Sequence, residues 1–233
     1  MIEFLKEIVK QATKLTHEHF EVYDKGNKGD LVTNLDIKVE EFLMDKIRKK
    51  YPDYDIVSEE FNSKKQVTNN CFIIDPIDGT KNFANDMPLW AIQIACVKDG
   101  KTIASVISVP KLNELYWADE TGAYLNGKRI HVRQVPINKA FYSIDGTDFL
   151  QIVHNMKQHT LNFRRFGCLG VAMAFVAIGR IHGTLFVHNK PWDYEPGLYL
   201  VKQAGGSIES VDGFHGGAMN KEFLDILKNA TLG

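Results

Sequence analysis

Long apolar runs are missing from this 233-residue chain. None approaches the roughly 18–20 residues that a membrane-crossing helix needs, so no membrane partner is expected. A charge excess of either sign is missing too: 28 basic residues face 29 acidic ones, a formal net charge of −1. There is no extended basic cluster, since Arg164-Arg165 is only a local pair. Nucleic acid is therefore not expected as a main partner. Cysteine is scarce. Cys71, Cys96 and Cys168 are odd in number, widely spaced and set among apolar residues, which reads as reduced core thiols in a cytoplasmic protein rather than a zinc site or a disulfide. The opening MIEFLKEIVK lacks the apolar stretch of a signal peptide. His17 and His19 stand two apart, so on a helix they diverge and offer no metal pair. Internal repeats, low-complexity tracts and long linkers are absent.

What remains is ordinary globular material, 44% hydrophobic and 24% charged, enough for one large domain or two small ones. Ile2, Leu5, Ile8, Val9, Ala12 and Leu15 recur at helical spacing and predict a helix over residues 2–23. Two glycines and an asparagine in DKGNKGD (24–30) predict an exposed loop. Thr33 or Asn34 then caps a second helix carrying Ile37, Phe42, Leu43 and Ile47, which ends before Pro52. Strands are expected at 55–58, 71–75, 91–97, 102–109, 114–118 and 123–125. Asp99-Gly100 and Asn126-Gly127 are hairpin signals, so this sheet should be largely antiparallel. Beyond residue 136 strands (141–145, 161–166, 183–187, 206–210) alternate with helices (148–157, 170–178, 194–203, 221–228), which predicts some parallel pairing. Residues 1–136 thus form an N-terminal α+β half with two helices, and residues 137–233 an α/β half. The active site is expected between them.

The most informative segment is CFIIDPIDGTKN (71–82). A buried strand runs into two carboxylates three residues apart, and buried carboxylates are usually paired or bound to metal. Pro76 is expected to halt the strand so that Asp75 and Asp78 face one cleft. Gly79 permits close backbone approach to a ligand, and Thr80 starts a helix whose free amides favour an anion. Two further acidic clusters, Ser58-Glu59-Glu60 and Trp192-Asp193, also end apolar or aromatic segments. Oxygen ligands of this kind suit hard cations such as Mg²⁺, and two such ions can clamp a phosphoryl group. Carboxylates for a cation beside amides for a phosphate predict a metal-dependent phosphate site.

The segments DIVSEE (55–60), IIDPIDGTKNF (73–83) and PWDYEPGLYLVKQAGG (191–206) resemble the three signatures of the inositol monophosphatase family, Mg²⁺-dependent and lithium-sensitive phosphatases. DLVTNLD (30–36) and RRFGCLG (164–170) are similar to two further family segments, so the likeness spans nearly the whole chain. The resemblance implies a layered αβαβα sandwich of the inositol monophosphatase/fructose-1,6-bisphosphatase type. It implies that Glu59, Asp75 and the carbonyl of Ile77 hold a first Mg²⁺, that Asp75 bridges to a second completed by Asp78 and Asp193, and that Glu59 touches a weaker third ion through water. Thr80 and Asp36 would form a hydrogen-bonded pair that orients the attacking water and takes its proton; a helix-capping carboxylate and a plain N-cap are their alternative roles. The amides of Gly79 and Thr80 would bind phosphate oxygens. No covalent intermediate is implied.

Departures from the family pattern bear on substrate. Ser58 stands where glycine is usual and Cys168 where serine is usual. Phe186 occupies a neighbourhood where inositol-specific members carry a glutamate for inositol hydroxyls. His188, Asn189 and Lys190 flank the expected mouth, where Lys190 could meet a second phosphate, and Lys25 and Lys28 could close over the substrate. The expected substrate is a small phosphorylated metabolite: a polyol or sugar phosphate, inositol 1-phosphate foremost. NADP(H), 3′-phosphoadenosine 5′-phosphate or fructose 1,6-bisphosphate are alternatives, and a regulatory protein that binds RNA polymerase or nucleic acid is a third reading. Homodimerisation and lithium inhibition are expected by resemblance alone.

Overall fold

The apolar stripe Leu5, Ile8, Val9 and Ala12 is the buried face of helix α1 (Ile2–Leu15). The fold is described from a computed structural model that covers residues 1–24, 26, 31–146, 149–211 and 213–232. Lys25 and Lys28, expected near the site mouth, lie outside the described residues. Helix α1 stops well short of residue 23. Glu18 and His19 occupy the positions where its stripe would continue, and Thr13 Oγ1 and Thr16 Oγ1 bond back to Val9 O (2.9 Å) and Thr13 O (2.7 Å), competing with the helical ladder. Val22 and Tyr23 instead enter β1 (Val22–Asp24), antiparallel to β2 (Leu31–Thr33).

Thr33 then caps α2 (Asn34–Lys50) in a capping box. Its hydroxyl accepts from Leu35 and Asp36 N–H, and Asp36 Oδ2 accepts from Thr33 N–H at 2.7 Å, an arrangement worth about 1 kcal/mol. The buried face of α2 is rotated from the expected one. Leu35, Val39, Leu43, Met44 and Ile47 are buried together with two acids, Asp36 and Glu40, while Ile37 is exposed.

A seven-stranded sheet follows in sequence order: β3 (Asp55–Ser58), β4 (Cys71–Asp78), β5 (Ala91–Lys98), β6 (Lys101–Val109), β7 (Glu114–Asp119), β8 (Gly122–Leu125) and β9 (Lys128–Ile130). Only β3–β4 is parallel. Both expected hairpins form, with positive φ at Asp99, Gly100, Asn126 and Gly127, as two-residue turns matched to sheet twist require. Strand β9 was not expected. A single helical turn, α3 (Thr80–Ala84), lies between β4 and β5.

The second half supplies β10 (Phe141–Asp145), α4 (Phe149–Met156), β11 (Asn162–Arg164), α5 (Leu169–Ala177), β12 (Gly183–Phe186), α6 (Pro191–Gln203), β13 (Ser207–Val211), β14 (Phe214–Ala218) and α7 (Lys221–Leu232). Its five-stranded sheet has the order β11-β10-β12-β14-β13, with β10 parallel to both β11 and β12. Strand β14 was hidden by Gly216-Gly217, which reads as a break. The glycines are there because a Cβ at Gly216 would stand 2.7 Å from the Phe214 ring. Helix α6 begins at Pro191 rather than at 194, since proline at the first helical position has the φ the helix needs.

The layers run α1/α2, seven-stranded sheet, α5/α6, five-stranded sheet, α4/α7, which is the αβαβα sandwich expected. Helices α5 and α6 share one apolar core with Ala91, Ile107 and Tyr116 of the first sheet and with Phe186 and Ile208 of the second. A separate core packs α1 and α2 on the first sheet's other face, and a third packs α4 and α7 on the second sheet. The three cysteines are buried and unbridged. Among the described residues, no helix is long and apolar enough to cross a membrane.

Candidate active site

Residues three apart on a regular strand point to opposite faces, yet Asp75 and Asp78 point to the same one. Asp75 is paired with Gln93 and Asp78 with Ala91, so Pro76 and Ile77 oppose Ile92 alone and form a bulge. Pro76 therefore does not halt the strand, contrary to expectation. It sits in the bulge, where the ladder asks no N–H of it, and β4 continues to Asp78. The bulge turns both carboxylates toward α5 and α6.

There they meet Asp193, in the first turn of α6. Its carboxyl lies within hydrogen-bonding reach of that of Asp75, while Asp75 Oδ1 is buried and has no hydrogen-bond partner. Asp78 Oδ2 accepts from Gly170 N–H at 2.5 Å and from Gln93 Nε2 at 3.1 Å. Gln93 Nε2 also donates to Asp193 O at 3.2 Å, tying the sheet to α6. Glu59, one residue beyond β3, lies in the field of all three. Burial, then the Glu59, Asp78 and Asp193 charges, push the Asp75 carboxyl well above the usual carboxylate range. Burial raises Asp78 to about 7 against the opposing Gly170 amide. Asp193 is raised well above its ordinary value by burial and by Asp78 and Glu59, with Lys190 opposing.

The Asp36–Thr80 pair also meets. Thr80 Oγ1 is 3.4 Å from Asp36 Oδ1 and 3.1 Å from Ile77 O. Asp36 is fully buried, and its other oxygen accepts from Thr33 N–H and Oγ1, so it caps α2 and faces Thr80 at once. Thr80 itself is the first residue of α3; the N-cap is Gly79, at φ +83°. A Cβ at Gly79 would lie 3.0 Å from Cys168 Cβ and 3.1 Å from Gly167 O, so this glycine is required by the turn before α5, not only by any ligand. Helices α2, α3, α5 and α6 all begin around these acids, and their N-terminal ends favour negative charge.

A model of the inositol monophosphatase family matches residues 1–225. The chain belongs to the inositol monophosphatase family. It is 32% identical over 231 residues to the fructose-1,6-bisphosphatase/inositol-1-monophosphatase of Thermotoga maritima, covering 96% of this chain and 90% of that one. It is 32% identical over 234 residues to Nus factor SuhB of Escherichia coli K12, covering 92% and 86%. The solved structure of Thermotoga maritima IMPase matches with a TM-score of 0.89 at 28% identity, over 98% of this chain and 95% of that one.

Divalent cations fit the inositol monophosphatase-type acids by donor chemistry: only oxygen donors, three of them carboxyls raised first by burial and then by neighbouring acidic charge, and an orphaned Asp75 oxygen. Among the described residues, no set of three or more His, Cys, Asp or Glu is arranged to enclose a metal ion as it stands. Other expected residues sit around this centre. Lys190 is the N-cap residue of α6, close enough to act on Asp193. Phe186 is almost fully buried and forms part of the central core, its ring 5.4 Å from that of the exposed His188. Cys168, the residue before α5, bonds through its thiol to Asp78.

Two residues escaped the sequence reading. Glu40 is fully buried and accepts from Ser58 Oγ (2.5 Å), Glu60 N–H (2.9 Å) and Phe61 N–H (2.8 Å), so it holds the turn that presents Glu59. Its signal was its position one helical turn after Asp36. Asp145 ends β10 beside Asp78 and Cys168. Its signal was the order Ile-Asp-Gly-Thr, which occurs at 77–80 and again at 144–147.

Proposed function

We propose that this chain is a phosphomonoesterase dependent on Mg²⁺, with two or three ions per site, that acts on small polyol or sugar monophosphates such as inositol 1-phosphate. The observation that carries this reading is the buried, partnerless Asp75 Oδ1 inside a group of mutually repelling carboxyls, which has no structural use and calls for a cation. Glu59, Asp75, Asp78, Asp193 and the Ile77 carbonyl would hold the ions, which when bound neutralise charge on a transferring phosphoryl group. Solved relatives described as IMPase/NADP phosphatase are complexed with Mg²⁺ and phosphate in one case and with NADP and Ca²⁺ in another.

The chain's own groups do the rest. Thr80 Oγ1, between Ile77 O and Asp36 Oδ1, orients the attacking water and relays its proton to Asp36. At 3.4 Å the Thr80–Asp36 contact is long for a hydrogen bond, as catalytic contacts commonly are in the absence of substrate. Gly79 and Thr80 amides, at the start of a helix, receive phosphate oxygens. The bisphosphatase reading is second, supported by the dual name of the Thermotoga maritima relative and by Lys190 at the mouth. Regulatory binding, in the manner the name Nus factor suggests for SuhB, is third.

The test is phosphate release from inositol 1-phosphate, fructose 1,6-bisphosphate, NADP and 3′-phosphoadenosine 5′-phosphate, with Mg²⁺ and with chelator. Mg²⁺-dependent release, fastest from the polyol monophosphate, is expected. Release unaffected by chelator, or none from any substrate, overturns the reading.

A further inference from the structure

Beside the phosphate site stands a buried carboxylate that neither caps a helix nor belongs to the proposed cation group. Asp145 is 7% exposed and its Oδ2 is buried without a hydrogen-bond partner. It lies at the carboxyl end of β10, which is parallel to both of its neighbours, β11 and β12. Ligands in α/β sheets bind at that end of parallel strands. The group is fixed from behind. The Gly167 amide donates to it, and the exposed Arg165 attracts it while donating to Gly146 O at 3.2 Å and covering the Phe149 ring at 4.5 Å. In front, Asp145 is close enough to Asp78 and Cys168 to act on both, so whatever meets Oδ2 sits next to the phosphate.

The neighbouring strand supplies the complementary wall. Asp145 and Phe186 are register partners on β10 and β12, so their side chains leave the same face of the sheet, two residues along from the buried Ser143–Thr184 hydroxyl pair (2.6 Å) on that face. A carboxylate oxygen that needs a donor, flanked by an aromatic ring, suits a molecule with hydroxyls along its edge and C–H bonds on its face. That is a cyclic polyol or a sugar. A second phosphate is unsuited to the same spot, because a carboxylate repels it.

We propose that Asp145 is a specificity-determining residue of the substrate site: its Oδ2 accepts a hydrogen bond from a hydroxyl of a cyclic polyol or sugar monophosphate whose ring lies against Phe186. The proposal rests on the phosphatase reading only for where the phosphate lies.

The test compares wild type with Asp145→Asn, which keeps volume but makes one oxygen a donor. Two activity substrates are used, myo-inositol 1-phosphate and p-nitrophenyl phosphate, which has no hydroxyl to offer. Calorimetric binding of the non-hydrolysable methylenephosphonate analogue of myo-inositol 1-phosphate gives a readout independent of turnover. Losing a hydrogen bond to a charged group should raise KM for the polyol and weaken analogue binding about tenfold or more, with kcat nearly unchanged. Turnover of p-nitrophenyl phosphate and the thermal transition should stay as in wild type. Equal binding by both proteins, or an equal loss on both substrates, overturns the proposal. Should wild type release no phosphate from either compound while the analogue still binds in an Asp145-dependent way, the phosphatase reading fails and the subsite stands.

Discussion

Asp78 is held from two sides, by the Gly170 amide and the Gln93 side chain, and these bonds decide what its replacement does. Asn at this position keeps an oxygen for the Gly170 amide and loses the charge. Asp78→Asn should therefore unfold at nearly the wild-type temperature while Mg²⁺-dependent turnover falls by about a hundredfold or more. Wild-type turnover at saturating Mg²⁺ would remove Asp78 from the site. The same carboxyls make stability depend on pH. Asp78 is raised to about 7 and Asp145 to about 6 from 3.8, so the folded protein keeps protons that the unfolded chain has already released. Their contribution to stability is full below about pH 4 and is lost as pH rises toward 7. In chelator, the thermal transition should fall across that window. Saturating Mg²⁺ should weaken the dependence by removing the Asp78 part, since a cation takes the place of that proton, and leave the Asp145 part. A transition that climbs from pH 4 to 7 in chelator contradicts this picture of the acids.

Among the elements, α2 shows how much of the site was legible and why some was not. Asp36 and the Thr33 cap could be read from DLVTNLD, because a capping box is local in sequence. Glu40 could not, because its partners Ser58, Glu60 and Phe61 arrive from a strand end whose approach is set by tertiary packing. Ser58, which stands out in sequence as a departure, becomes intelligible only there, as a donor to Glu40. Strand β4 is similar. The pairing of Asp75 with Asp78 was evident from DPID, but Pro76 was read as a stop because a bulge is a relation between two strands. Asp145 went unread because its partner residues lie on three other segments. Glu40→Gln loses one acceptor for the Glu60–Phe61 turn and should cost about 1–3 kcal/mol of stability. It should also raise the Mg²⁺ concentration needed for half-maximal turnover, because Glu59 is less firmly placed. Unchanged Mg²⁺ dependence in a folded Glu40→Gln variant would separate that turn from the site.

Over the whole molecule, the central α5/α6 layer joins the two sheets through one core, and its two helices begin at the acids. The alternation of strands and helices in the second half was legible from the change of period, and the layered order followed only from the family resemblance, while β1, β2, β9 and β14 went unread because they are short or glycine-bearing. The sandwich brings residues as far apart in the chain as 59 and 193 into one electrostatic unit, and that convergence is the centre of the functional reading. Anomalous scattering from a crystal grown with Mn²⁺ in place of Mg²⁺ tests it most directly. Strong peaks bounded by Glu59, Asp75, Asp78 and Asp193 are expected, with the Asp75 oxygen that lacks a partner among the ligands. Full occupancy of Mn²⁺ elsewhere, with no peak beside Asp75, would contradict the assignment.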